Sequence, residues 1–188
     1  MAFIRKSVKP NFAGVSGTSG GFNVGEQFTV AQLLELAKQK GVEASPLDVQ
    51  GLLSVLGIKL ISVPMSDDVS GMLSLSDNGK DWVVKVNALH HPNRQRFTIA
   101  HEIAHFSRHR FQQAEFKDLN FFRNGESNPM EVEANRFASE LLMPESIFRD
   151  KVRVFSGSIE AVAQYFKVST LAVRVRAKIL GMKGHGLE

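Results

Sequence analysis

Thr98-Ile99-Ala100-His101-Glu102-Ile103-Ala104-His105-Phe106 sets two histidines four residues apart, with a glutamate directly after the first. On a helix, at about 100° per residue, His101 and His105 lie about 40° apart on one face, so their imidazoles can share one ion. Glu102 is then positioned to act on the water that ion carries, the arrangement used for metal-assisted hydrolysis. Such an ion normally takes a third protein ligand and keeps one place for water. The chain contains no cysteine, so the third ligand must be His, Asp or Glu.

Two acids on the next amphipathic helix qualify: Glu131 and Glu133, 26 and 28 residues beyond His105. Met130, Ala134, Phe137, Ala138 and Leu141 set the apolar side of that helix. Counting from Glu131 at about 100° per residue, that side centres near ~290°, with Glu131 about 70° from it and Glu133 about 90° away on the other side. Periodicity leaves both open and favours Glu131 only slightly. Asn135 is placed to orient the third ligand, and Arg136 reads as surface. His109 continues the i, i+4 series; it reads as a partly exposed helix-end residue, with support of the site from behind as the alternative. His90 and His91 precede the motif and read as loop residues.

The elements that must hold these groups follow from pattern and punctuation. Thr29 reads as the cap of a first helix, with Val30, Leu33, Leu34, Leu36 and Ala37 in helical period and Gly41 as its stop. A second helix is predicted to open at Ser45-Pro46 and end at Leu56. Three strand-like runs follow, Ile58–Val63, Met72–Leu75 and Trp82–Val86, with the Asn78-Gly79 pair marking a hairpin between the last two. The motif helix is apolar on most of its surface, through Ile99, Ile103, Phe106, Ala100 and Ala104, so its polar wedge of Thr98, His101, Glu102 and His105 must face inward. Residues 110–128 read as a long loop and a candidate lid. Further helices are predicted at Pro129–Met143, 144–154, 158–166 and Ser169–Leu180. The domain reading is a Gly-rich lead-in over 1–27, a catalytic domain over 28–154, and a helix-turn-helix-like segment over 155–183 packed on the core.

Composition narrows the class. The chain has 188 residues, 23 Lys+Arg against 19 Asp+Glu, and a net charge of +4. That balance permits nucleic-acid contact without indicating it. The missing cysteines exclude a disulfide framework, a thiolate metal site and a cysteine nucleophile, and suit a cytoplasmic setting. No run approaches the length of a membrane span. Arg174 and Lys178 share a face of the last helix, but Arg176 lies about 160° from their midpoint, so direct DNA binding by this segment is the lesser expectation.

The run Arg96–Phe106, followed by Glu131-Val132-Glu133-Ala134-Asn135-Arg136-Phe137-Ala138 and Leu141-Leu142-Met143-Pro144, resembles the ImmA/IrrE family of zinc metallopeptidases. The resemblance extends over Val86-Asn87 and Val162–Ser169 and covers roughly residues 45 to 180. It implies an α+β, zincin-like domain with a small antiparallel sheet, Zn2+ as cofactor, and Glu102 as general base. It also implies His101, His105 and Glu131 as ligands, since the family's E-x-x-A-[ND] glutamate falls on Glu131; Glu133 is the fallback. The implied activity is endoproteolysis of a regulatory protein, such as a helix-turn-helix repressor or antitoxin partner. The alternative is a metal-binding regulatory or toxin component of a toxin–antitoxin-like module that acts by protein or DNA binding without proteolysis. A substrate peptide would add to a sheet edge, with Met72–Leu75 or Trp82–Val86 as the expected edge.

Overall fold

Six of the seven described helices start at a side chain that satisfies a free N–H of the first turn. The computed structural model describes residues 27–113, 115–119 and 128–182; the expected Gly-rich lead-in lies outside them except for Gln27. In α1 (Val30–Gln39), Thr29 and Gln32 form a reciprocal capping box, and Gly41 at φ +70° ends the helix. The second helix begins later than Ser45-Pro46 suggested. Asp48 accepts from the N–H groups of Gln50 and Gly51, so α2 runs Val49–Val55 and the proline lies in the preceding turn.

The sheet comprises β1 (Lys59–Val63), β2 (Val69–Leu75), β3 (Trp82–Asn87) and β4 (Glu115–Leu119), in the order β1-β3-β2-β4. The β2–β3 hairpin is antiparallel, as Asn78-Gly79 requires, and β4 pairs antiparallel with β2. β1, however, runs parallel to β3, so the sheet is mixed rather than wholly antiparallel. To reach that position the β1–β2 connection must cross the end of β3, and Asn87 fastens it there. The Asn87 side chain is fully buried, donates to the carbonyls of Met65, Ser66 and Val69, and accepts from the N–H groups of Met65 and Leu89. The two strands expected to offer an edge, Met72–Leu75 and Trp82–Val86, are both interior; among the described residues the edges are β1 and β4. Part of the presumed 110–128 loop is therefore a strand.

The sheet packs on α3 (Pro92–Arg108), which is capped by His91 Nδ1 and opened by Pro92. Every residue from Thr98 to Ser107 in α3 is buried. Its far end is closed by Arg110, whose guanidinium donates to the Phe106 and Ser107 carbonyls and lies 4.3–5.2 Å from the rings of Phe28, Phe106 and Phe111. Burial lowers that guanidinium to about 10, still charged at neutral pH. Helices α4 (Pro129–Leu142), α5 (Glu145–Val154), α6 (Ile159–Phe166) and α7 (Thr170–Ile179) complete the fold. Val162, Phe166, Val173 and Ala177 of α6 and α7 join the same core cluster as Ile103 and Leu141. Buried Arg176 donates to the Met143 carbonyl, which explains why it does not share the outer face of Arg174 and Lys178.

Replacing Asn87 with Ala strands the buried backbone groups of the β1–β2 crossover. We expect a loss of about 2–4 kcal/mol in urea unfolding, read as a lower midpoint at unchanged slope; a midpoint equal to wild type would show that the crossover holds without Asn87.

Candidate metal centre

Ala100 and Ala104 of α3 and Ala134 and Ala138 of α4 are fully buried, and side chains this small let the two contacting helices approach closely. Asn128 caps α4 by accepting from the Met130 N–H, and Pro129 starts it, which puts Glu131 in its first turn. The consequence is a meeting of three side chains. His101 Nε2 lies 2.9 Å from His105 Nε2, and Glu131 reaches both, with Oε2 at 3.1 Å from His101 and Oε1 at 3.4 Å from His105. Both imidazoles are buried, whereas a quarter of the Glu131 side chain is open to solvent.

A proton inventory shows what this cluster can hold. His101 Nδ1 lies 3.2 Å from Asn135 Oδ1, an atom that only accepts, so His101 carries its proton on Nδ1 and presents a lone pair at Nε2. Burial, first of all, pushes the His105 pKa down, and the neighbouring His101 and His109 add to it against Glu131. Burial also opposes ionisation of Glu131, but when the facing Nε2 atoms of His101 and His105 carry protons their hydrogen bonds and charge outweigh it and bring its carboxyl to about 2; with those protons gone, only lone pairs face the carboxylate. Nitrogen lone pairs and a carboxylate thus face one another, an arrangement that repels unless a cation sits among them. Two imidazoles and one carboxylate without a thiolate are a donor set that a borderline divalent metal takes, with a position left for water. Their candidate ligand atoms all lie within 4.8 Å of one another.

The other singled-out residues divide clearly. Glu133 is not in the cluster: its Oε1 accepts from Arg108 Nε at 2.8 Å and its Oε2 faces His109 Nε2 at 3.3 Å. Asn135 orients His101 rather than Glu131. His109 is not the exposed helix-end residue expected; it is buried, with Nδ1 3.1 Å from His105 Nδ1. His91 caps α3, His90 sits against Asn87, and Arg136 is exposed. Glu102 is fully buried. One contributor reads from the sequence only as core or lid packing. Phe116 of β4 stacks on the His105 ring, with centroids 4.6 Å apart and planes 26° from parallel. Its only signal was a phenylalanine in an unpatterned stretch.

The family described as Peptidase_M78, IrrE N-terminal-like domain, matches residues 53–178. Among solved structures, a Mycobacterium tuberculosis transcriptional regulator superposes with a TM-score of 0.55 at 17% identity, over 79% of this chain. The chain spans only 46% of that regulator, and the likeness at this identity is one of fold. No curated protein sequence gives a significant match.

Glu102 also depends on a close backbone approach. A Cβ added at Gly71 of β2 would collide with Thr98 Cγ2, lie 2.9 Å from the Lys85 carbonyl oxygen and 3.4 Å from Glu102 Oε1. Gly71→Ala must therefore push β2 from α3. We expect a loss of about 1–3 kcal/mol in thermal or urea unfolding; unchanged stability would show that the strand can yield freely.

Proposed function

The chain belongs to the Peptidase_M78 family with an IrrE N-terminal-like domain, and from that membership we propose that it is a zinc-dependent endopeptidase acting on a regulatory protein. The observation that carries the reading is the convergence of His101 Nε2, His105 Nε2 and the Glu131 carboxylate, with Glu102 one residue along the same helix. His101, His105 and Glu131 are its metal ligands, and two histidines with one glutamate are a set that catalytic zinc takes. When bound, the metal supplies a water of lowered pKa, toward roughly 7, and polarises the scissile carbonyl. Glu102 takes the proton of the attacking water on its carboxylate and then delivers it to the leaving amine. Asn135 fixes the His101 tautomer, so that ring offers a lone pair rather than a proton.

The catalytic domain is taken as residues 28–154, with 155–183 as a helical segment packed on it; the α6 and α7 residues in the common core support that packing. The substrate peptide docks along β4, the edge strand whose Phe116 touches His105. A helix-turn-helix repressor or antitoxin partner is the proposed substrate, a reading supported by the regulatory role named for the structural neighbour. Direct DNA binding is the weaker alternative. The exposed face of α7 carries the apolar row Leu171, Val175 and Ile179 beside Arg174 and Lys178, a poor match to a phosphate-facing helix. Among the described residues no helix is long and apolar enough to cross a membrane, and the cysteine-free chain suits a cytoplasmic location.

Glu102→Gln should bind zinc as wild type does and cleave a candidate repressor at least about 100-fold more slowly. Full cleavage by the variant would remove Glu102 from the mechanism, and retained regulation without cleavage would favour a non-proteolytic module.

Metal affinity should also follow pH in a defined sense. The depressed pKa of His105 leaves its Nε2 free of competing protons at pH 7, and Glu131, near 2, stays ionised well into acid. Affinity should hold between about pH 7 and 8, then fall as pH drops below about 6.5, roughly tenfold per pH unit for each proton displaced. Competition titrations against a chromophoric chelator measure this; affinity undiminished at pH 4 would exclude histidine ligation.

A further inference from the structure

We propose that Arg108, Glu133 and His109 form a positioning relay that fixes the tautomer of His105. The inference rests on His105 being a metal ligand and adds residues that touch neither metal nor substrate. Its starting point is Glu133, whose carboxylate accepts from Arg108 Nε through one oxygen. The other oxygen faces His109 Nε2, so that nitrogen must be the donor. With its proton on Nε2, His109 presents a lone pair at Nδ1. That lone pair lies 3.1 Å from His105 Nδ1, which must then carry the proton of its own ring. The one nitrogen of His105 left without a proton is Nε2, the atom 2.9 Å from His101 Nε2 and 3.4 Å from Glu131.

With both rings neutral, each link has one workable direction, and reversing any of them sets two donors or two acceptors face to face. Burial leaves little room for another solution. His105 and His109 are at most 2% exposed, and Phe116 covers both rings, at 4.6 Å from His105 and 6.2 Å from His109. Water cannot readily take the place of a missing partner there, and hydrogen bonds in such surroundings are strong. The anchor, by contrast, is at the surface, where Arg108 and Glu133 are about a third and nearly half exposed. His101 obtains the same service directly from Asn135. Both metal-facing histidines thus have their Nδ1 protons assigned from behind, one by a neutral amide and one by a carboxylate through an intervening ring.

The test uses the zinc-loaded full chain with 15N-labelled histidine. Long-range 1H–15N spectra should show His109 protonated at Nε2 and His105 at Nδ1. A proton on His109 Nδ1 would overturn the relay. His109→Phe keeps a ring of similar shape against Phe116 but removes the acceptor; zinc affinity should fall about 10- to 100-fold. His109→Gln, which restores an acceptor, should recover part of that loss while the metal-free unfolding midpoints of the two variants remain alike. Zinc binding by His109→Phe equal to wild type would also overturn the proposal. If the wild type binds zinc but cleaves no protein, the peptidase reading fails and the relay stands. If it binds no zinc, the tautomers of the metal-free chain decide the relay alone, and the same proton assignment upholds it.

Discussion

Two buried imidazole nitrogens and a carboxylate, all presenting lone pairs to one small space, repel each other. The protein must therefore hold them against their own electrostatics. Helix α3 supplies the two nitrogens from a segment buried on every side, so neither ring can turn toward water without leaving its packing. Helix α4 supplies the carboxylate from its first turn, and the alanines of both helices let them lie close. Contacts of their Nδ1 atoms with Asn135 and His109 hold the rings from behind. The fold places buried helix segments around a candidate cation site.

The same constraint explains features distant from the cluster. A carboxylate directly after His101 has to be accommodated where β2 presses on α3, and only a residue without a side chain fits at Gly71. The end of α3 carries Arg110 under three aromatic rings, which satisfies the terminal carbonyls of the helix and complements its negative pole. The crossover from β1 is fastened by Asn87, whose strand abuts the start of the motif helix.

Much of this was legible in the sequence because it is local. The spacing of His101 and His105, the Thr29 and Ser169 caps, the Asn78-Gly79 hairpin and the inward-facing wedge depend on neighbours within a few residues. What was not legible depends on distant partners. The rotation of α4 decides between Glu131 and Glu133, and that rotation is set by packing against α3; family resemblance, rather than periodicity, pointed to Glu131. His109 seemed exposed because nothing in its own helix shows that Phe116 and Glu133 enclose it. The parallel pairing of β1 is invisible because a strand's alternation does not state which neighbour it meets. Asp48 outcompeted Ser45-Pro46 as a helix start because its carboxylate reaches two N–H groups at once.

The three side chains of the cluster also differ in where they sit along their helices. His101 and His105 lie deep within α3, whereas Glu131 is in the opening turn of α4 and is the member of the set that solvent reaches. Opening turns fray far more often than helix interiors unwind. The residence time of an ion held there would then follow the lifetime of one hydrogen-bonded turn closed by Asn128, not the stability of the whole domain. An ion would come and go by a carboxylate door that swings while the two histidine jambs stand still.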